Sequence, residues 1–418
     1  MPAFANRAGE FERSIQWFDQ ERHMKTHTQI CVRALVFAVL LFVLARPASA
    51  ANGFLIVGNQ PANCPDAQFT TIQAALNAAG PGQRIHLCRG TYPEQLKITK
   101  PVHIDSDNGV VLLPTNMQAN TTSLVSGAPM AAAILVVDTT NVIIEGMIVD
   151  GANNNVSACA PQLIGIEYQN ASGVVENVTV RNFKLATALN GCQSGTAIFV
   201  QSGGGGASDL EVHDSVLYDY QKNGITANEV GTAIAVHDNV VTGIGPTSGA
   251  AQNGIQVGFG AGGEVRRNTV TNNIWSPCVT VDNCANVGTG ILVEQSDSVQ
   301  ITGNSVGVSQ VGIFINGNDA TLRQNQVFAL NVFDGIRIEG NGNRLEKNEV
   351  ATGPEAGILL EGNNNVILQN TITGAGIGIF KDTGLTGNLI ASNRVFSSLV
   401  RTQDPELGRL ATKVVADR

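Results

Sequence analysis

Charge and aromatic rings are both scarce in this 418-residue sequence. Asp, Glu, Lys and Arg make up 14% of it and Phe, Trp and Tyr 5%, whereas 43% is hydrophobic and Gly numbers 46. So little charge beside so much apolar content excludes a disordered chain, and so few rings exclude a core built on large aromatics. What is left suits a fold that stacks small and β-branched side chains. Basic residues are in the minority, 25 against 34 acidic, for a net charge of −9. That balance argues against nucleic acid or an anionic membrane as partner, and makes a strongly anionic polysaccharide an awkward ligand unless cations are concentrated locally.

Long apolar runs are missing with one exception. Ala34 to Ala45 is unbroken, follows Lys25 and Arg33, and precedes Ala48-Ser49-Ala50. This pattern is that of a secretory signal peptide cleaved after Ala50, too short to span a bilayer comfortably. Met24 opens a conventional leader, so residues 1–23 read as a misassigned start. The expectation is a secreted or periplasmic chain with no membrane insertion after signal removal. Its six remaining cysteines, Cys64, Cys88, Cys159, Cys192, Cys278 and Cys284, are an even number that suits disulfides. Cys278 with Cys284, Cys64 with Cys88 and Cys159 with Cys192 are the positional choices. No C-x-x-C pair exists and the His residues do not cluster near Cys in sequence, so a zinc site is not expected.

Repetition is what the sequence has in abundance. Asn268, Asn304, Asn325, Asn348, Asn370 and Asn393 each precede x-Val or x-Ile, and from Asn304 onward they step by 21, 23, 22 and 23. Asp238, Asp214 and Asn182 extend the series backwards. A second signature runs in phase: Gly254-Ile255, Gly290-Ile291, Gly312-Ile313, Gly335-Ile336 and Gly357-Ile358. A period near 22 means a solenoid. No regular Leu frame or helical side supports a leucine-rich repeat. Alternation such as Ile336 and Ile338 against Arg337 and Glu339, with Gly-Asn and Asn-Asn punctuation, predicts short strands. The fold class is therefore all-β: a right-handed single-stranded parallel β-helix with three short strands per rung of about 22 residues. The Asn series is read as a structural ladder, at corners that need left-handed backbone and with amides that hydrogen-bond up and down from rung to rung.

The ends are assigned from their patterns. Phe69 to Ala79 has helical spacing, with Thr70 or Thr71 as its cap and Gly80-Pro81-Gly82 as its stop. Arg84 to Cys88 reads as the first strand. Residues 51–83 form an N-terminal cap, 84–397 the solenoid, and 398–418 a C-terminal cap or tail.

Phe69-Thr70-Thr71-Ile72-Gln73-Ala74-Ala75, then Pro81-Gly82-Gln83-Arg84-Ile85, then Gly90-Thr91-Tyr92-Pro93-Glu94 resembles the cap and first rung of the pectin lyase-like superfamily. The Gly-Ile and Asn-x-Val rungs resemble the parallel β-helix repeats of carbohydrate-binding proteins and sugar hydrolases. The resemblance covers roughly residues 64–397 and implies a polysaccharide partner. It leaves open whether the chain is a lyase, hydrolase, esterase, epimerase or no enzyme. The Asn-Thr-Asp, Asp-Asp, Gly-His-Gly and Arg-Ile-Lys signatures of polygalacturonase-like hydrolases are missing; Arg337-Ile338-Glu339 departs at the lysine. Asp-Pro-His-Asp of the alginate epimerases is missing too. Calcium, used by pectate lyase-like enzymes, has no motif here, and no cofactor is expected. A pectin esterase needs two Asp and an Arg on adjacent rungs, and Asp150 is the nearest Asp.

Four inserts, roughly 152–163, 186–194, 245–252 and 273–288, all fall between the Asn-x-Val and Gly-Ile strands. They should emerge on one side and frame a ligand groove. Trp275 and Tyr168 offer aromatic planes to a sugar. Outward positions of the Gly-Ile strands, Glu167, Gln169, Gln201, Gln256, Glu294, Asn316, Arg337, Glu339, Glu361 and Asp382, offer amides and carboxylates. Glu167 and Glu294 are the favoured acids for hydrolysis because they lie beside inserts, with Asp150 behind them. His213 and His237, in matching Val-His-Asp triplets, are expected to be structural, and no metal site is assigned. Binding or modification of an extracellular or cell-wall polysaccharide is the leading expectation. A non-catalytic surface, adhesion or envelope scaffold is the alternative. Oligomeric state is not fixed by the sequence.

Overall fold

The computed structural model describes residues 53–276, 286–328, 333–396 and 400–403. The leader-like segment 1–50, the Cys278–Cys284 pair and the tail beyond Gln403 lie outside the described residues.

Parallel pairing between successive coils dominates. Thirteen strands form one face, from Leu55–Val57 through Val102–Ser106 and Gln300–Thr302 to Leu389–Ala391. A second face carries the Asn-x-Val strands, such as Ser305–Ser309 and Gln326–Phe328, and a third carries the Gly-Ile strands, such as Thr289–Glu294 and Val311–Asn316. Second and third faces fuse where one strand bends through both, at Glu349–Leu360 and Thr371–Lys381. The three-strand coil expected from the sequence is therefore present, with two coils whose last strands are continuous. Register is vertical: Ile301 pairs with Leu322, Leu322 with Leu345, Leu345 with Ile367 and Ile367 with Ile390. Alternation turns these residues inward, where Ile301, Leu322, Leu345 and Ile367 are fully buried. Each such side chain contributes roughly 1.5–3 kcal/mol of burial.

The Asn column is continuous from Asn239 to Asn393. Each Oδ1 accepts two bonds from the rung below: Asn304 donates both its backbone N–H and its Nδ2 to Asn325 Oδ1, each at 3.0 Å. Asn325 repeats this to Asn348, Asn348 to Asn370 and Asn370 to Asn393. Left-handed backbone belongs to the residue before each Asn: Arg267, Gln324, Lys347, Gln369 and Ser392 have φ of 55–58°. The expected rung-to-rung amide bonds are present, and the correction concerns only the left-handed backbone, which falls one residue earlier. The amide is selected for its up-and-down hydrogen bonds. The backward extension shifts by one as well: Asn239 and Ser215 stand in the column and Asp238 and Asp214 precede it, whereas Asn182 follows the strand Thr179–Arg181 at another corner. The glycine of each Gly-Ile pair is explained by close approach. A Cβ at Gly290 would collide with Val306 Cγ1 and the carbonyl oxygen of Gly312, and Gly335 meets Val350 and Gly357 in the same way.

Helix α1, Ile72–Ala78, buries Ile72, Ala75 and Leu76 against the open first rung. Thr71 caps it by accepting from the N–H of Ala74. Glu94 accepts from the N–H groups of Ile72 and Gln73 at 2.8 and 3.0 Å, where a carboxylate also meets the positive end of the helix. Leu55–Val57 pairs with Ile85–Leu87, so the first face begins one strand before Arg84–Cys88.

Candidate functional site

Third-face strands turn two columns of side chains outward. One runs Glu167, Phe199, Thr226, Gln256, Leu292, Phe314, Arg337, Leu359, Phe380; beside it runs Gln169, Gln201, Asn228, Gly258, Glu294, Asn316. The sequence groups most of these polar residues correctly on one face, but the face is not uniformly open.

Its lower part is covered. Residues 113–128 cross it as a strap, with Thr121–Thr122 antiparallel to Pro129–Met130. Gln169 donates to Thr122 O at 2.8 Å and accepts from Thr121 Oγ1 at 2.6 Å, and Gln201 accepts from the N–H of Leu124 at 2.9 Å. Under the strap Met130, Ala132, Leu135 and Ile164 form a small apolar cluster, flanked by Phe199. Glu167 is fully buried, bonded through Oε1 to Gln169 at 2.7 Å and left without a partner at Oε2. Burial pushes its carboxyl up to about 8. Glu167, Gln169 and Gln201 are thus strap contacts and no groove floor. Tyr168 is a further correction: alternation places it inward beside Ile166, fully buried, with its hydroxyl on Val142 O at 3.2 Å.

The middle coils carry a buried amide network. Asn223 donates to Thr226 and to Gln256, Asn253 donates to Asn223, and Gln256 donates to Asn228. The inserts stack along its edge. Cys159–Cys192 joins the first two, with Cα atoms 5.2 Å apart. The N–H of Ala250 donates to Asn190 O at 2.7 Å, and Trp275 Nε1 donates to Gly249 O at 2.9 Å. Lys222 reaches Ala251 O at 2.7 Å, and burial lowers its ammonium to about 8.

Farther along the axis the face is open to solvent. Leu292, Phe314, Arg337, Leu359 and Phe380 form a half-buried stripe. The Arg337 guanidinium lies 5.4 Å over the Phe314 ring. It contacts Glu339 at 3.1 Å and Glu361 at 3.0 Å. Glu294 accepts from Asn316 at 3.2 Å and from Gln295 at 3.1 Å. Glu339 has its carboxyl raised, burial outweighing the opposing pull of Arg337. Trp275 is half-buried and packs with Phe314 against Val311 and Phe333, its indole N–H committed to Gly249. Asp334, absent from the sequence-based set, is fully buried at this edge with Oδ2 unpartnered; burial first, then Glu355, pushes it to about 7. Its signal in the sequence is an acid in the position just before Gly335-Ile336, where neighbouring coils place Val311 and Ala356.

Asp150 lies elsewhere, on the second face. Its Oδ2 accepts from Arg181 at 2.7 Å and its Oδ1 from Asn182 at 2.7 Å, with Arg181 reaching on to Tyr218. The Arg on the adjacent rung is there, but no second Asp joins it among the described residues, and every Asp150 contact is structural. A shallow cleft of about 350 Å³ beside it is lined by residues 151–156, Asn182 and residues 184–186. His213 and His237 stack 5.0 Å apart at an interplanar angle of 1°. Every ring nitrogen faces a carboxylate: Glu176 and Asp214 for His213, Glu211 and Asp238 for His237.

The profile of a family described as periplasmic copper-binding protein (NosD) matches residues 212–404. No curated protein matches the chain. Among solved structures, the GH136 lacto-N-biosidase from Eubacterium ramulus aligns over 82% of this chain and 68% of its own, at 14% identity and a TM-score of 0.56. The periplasmic alginate epimerase AlgG aligns over 77% of each chain at 12% identity with a TM-score of 0.42. The A-module of Azotobacter vinelandii mannuronan C-5 epimerase AlgE4 covers 80% of this chain and 92% of its own, at 16% identity and 0.41. At 14% identity the likeness to the lacto-N-biosidase is one of fold alone.

Proposed function

We infer that this chain, a right-handed parallel β-helix of the pectin lyase-like kind, binds an extended glycan along the open part of its third face. One observation carries the reading: Arg337 lies over Phe314 and between Glu339 and Glu361, on a solvent-facing stripe of Leu292, Leu359 and Phe380. Apolar planes suit sugar faces, and a row of carboxylates, Asn316 and a guanidinium suits hydroxyl groups. Coils about 4.8 Å apart repeat these groups along the axis, as an extended polymer requires. The carboxylates present are held by Arg337, Asn316 and Gln295, and Asp334 is buried beyond reach of a ligand, so no acid–base pair is assigned and binding is the function proposed. The GH136 lacto-N-biosidase, by name a carbohydrate-active protein on this fold, is consistent with a sugar ligand.

The chain is placed outside the cytoplasm in this reading. Its two disulfides among the described residues, the leader-like segment 1–50 and the periplasmic family matched over residues 212–404 support that location. No helix among the described residues is long and apolar enough to cross a membrane. Copper, named in the family's description, finds no fit among the described residues of the matched segment. That segment has no Met, its His residues are His213 and His237, and its two cysteines, Cys278 and Cys284, lie outside the described residues. Stacked rings direct their in-plane lone pairs parallel, so one ion cannot lie in both planes, and each nitrogen is already taken by a carboxylate.

A panel of neutral and acidic polysaccharides, assayed for binding and for released reducing or unsaturated ends, tests this. Binding to at least one glycan is expected, weakened about tenfold or more by Phe314→Ala with Arg337→Ala, a loss of about 1.4 kcal/mol. Trp275→Ala with Glu294→Ala is expected to weaken it less, because Trp275 is packed. Binding untouched by the first pair removes this face as the site. Failure of every glycan, with a specific protein partner recovered instead, removes the reading.

A further inference from the structure

We propose that Cys64, Cys88, His86 and Asp107 constitute a metal site that the Cys64–Cys88 disulfide closes and its reduction opens, selective for a borderline divalent cation of the zinc kind.

The site lies where the N-terminal cap meets the first two coils, away from the third face and outside the segment matched by the family profile. His86 stands two residues before Cys88, at the end of the strand Gln83–Leu87, and the next coil brings Asp107 alongside. One ligand atom from each of His86, Cys88 and Asp107 lies within 4.8 Å of the others. Cys64 is bonded to Cys88, which puts a second sulfur at the same place. His86 and Cys88 are neighbours in sequence, and the fold adds Cys64 and Asp107 to them.

The imidazole is already oriented as a ligand. Its Nδ1 faces Asp105 Oδ2 at 2.6 Å, and Asp105 is held by Arg84 at 2.6 Å through its other oxygen. With the proton on Nδ1, directed at Asp105, Nε2 presents its lone pair toward Asp107, 3.5 Å away. A carboxylate behind a histidine is the usual support of a metal ligand, fixing its tautomer and raising its basicity. Phe54 packs edge-on to the His86 ring, 6.2 Å between centroids. His86 and Asp107 are partly exposed, which gives an ion a route from solvent, while both sulfurs are buried. Tetrahedral bonds of about 2.0–2.3 Å would draw the His86 and Asp107 ligand atoms in by roughly 1 Å, which rotation of their side chains can supply, while the two sulfurs, once their bond is reduced, move apart to flank the ion.

Oxidised, the sulfurs are joined and offer no thiolate. A dithiol reductant gives two electrons and two protons to the Cys64–Cys88 bond; that bond breaks to two thiols and the reductant closes to its own disulfide. A divalent cation then binds as the two thiols release their protons to solvent. Two thiolates, one imidazole and one carboxylate select zinc over magnesium or calcium, which prefer oxygen alone. In an oxidising compartment the site stays closed. Capture is confined to conditions in which a dithiol reaches the cap.

Cobalt(II) is the probe, because thiolate ligation gives it a near-ultraviolet charge-transfer band. The full chain is used with Cys31, Cys159, Cys192, Cys278 and Cys284 changed to Ser, reduced by a dithiol that is then removed without air. One equivalent of cobalt is expected to give the band in the reduced chain and none in the oxidised chain, with zinc displacing it. His86→Ala is expected to weaken binding about a hundredfold and Asp105→Ala about tenfold. Cys64→Ser with Cys88→Ser should abolish the band while far-ultraviolet dichroism keeps its strand signal. The proposal is overturned by equal binding in the oxidised chain, by no band after reduction, by a band indifferent to His86→Ala and Asp107→Asn, or by loss of the strand signal on reduction. None of these outcomes bears on glycan binding, which is read on the other face.

Discussion

Asn325 shows why this fold repeats an amide and not simply any polar residue. Its Oδ1 accepts two donors from Asn304, while its Nδ2 gives to Ile301 O and Asn348 Oδ1, both at 2.9 Å. An acid would lose the donors and a lysine the acceptor. Asn325→Ala orphans buried groups on both neighbouring rungs, and should cost about 3 kcal/mol in chemical denaturation. Asn341→Ala, in an exposed column where Asn341 Oδ1 accepts from the N–H of Asn363, should cost under about 1 kcal/mol because water replaces the bond. Equal losses would remove burial as the deciding factor. Glu167 makes the opposite case, a polar group that its setting penalises. Its carboxyl keeps a proton to about pH 8, whereas an unfolded Glu releases it near 4.5. Between those values the folded state holds more protons, so the stability from this group is full below 4.5, declines as pH rises and is gone above 8. Glu167→Gln should therefore raise the melting temperature more at pH 8 than at pH 5. A uniform shift would show that the buried carboxyl does not govern that pH dependence.

At the scale of the element, the strap decides how much of the third face can meet a ligand. It is held by side chains far along the chain, Gln169 at 48 residues from Thr121 and Gln201 at 77 from Leu124. Gln169→Ala with Gln201→Ala should loosen it, expose Leu135, Ile164 and Phe199, increase binding of an apolar dye and speed amide exchange at residues 121–128. Unchanged exchange there would mean that the strap is held by its pairing to Pro129–Met130 alone. The strap also marks the boundary of what the sequence discloses. Coils are legible because Ile, Val, Asn and Gly recur at the period of the solenoid, and each recurrence reports a vertical contact. The strap occurs once, so its contacts leave no period to read, and Glu167 looked exposed. Tyr168 was legible in principle, since alternation from Ile166 sends it inward; its bulk drew it into the ligand set instead. The Asn column was legible in position and in its rung-to-rung amide bonds but not in where the left-handed backbone falls, because Gln324, Lys347 and Ser392 bear it without any shared side chain to announce it. His86 beside Cys88 was visible in the sequence, while Asp107 comes from the following coil.

For the whole molecule, the consequence of coil-on-coil packing is that stability is a sum over neighbours, so that removing a complete coil should leave a shorter solenoid of the same kind. Arg344 stands below Val366, Leu345 below Ile367 and Glu346 below Leu368. Excising residues 344–365 joins Asn343 to Val366 and places Val366 on Thr321, which Arg344 had covered. Columns that change members keep their chemistry: Ile367 replaces Leu345 on Leu322, and Asn370 replaces Asn348 above Asn325. Cutting only 344–354 breaks every column at once, since it would set a third-face segment on a first-face strand and leave the Asn325 backbone N–H and Nδ2 without the Asn348 Oδ1 that accepts them. The full-coil deletion should therefore retain a strand-type far-ultraviolet spectrum and a cooperative melt lowered by several degrees, and the half-coil deletion should lose both. The same comparison separates coil stacking from the site built on it: the full deletion takes away Glu361 and Leu359 but leaves Phe314 and Arg337, and the register brings Phe380 down onto Arg337. Glycan affinity should fall in this variant without vanishing. A full-coil deletion that fails to fold would mean that some contact spanning more than adjacent coils holds the upper half together.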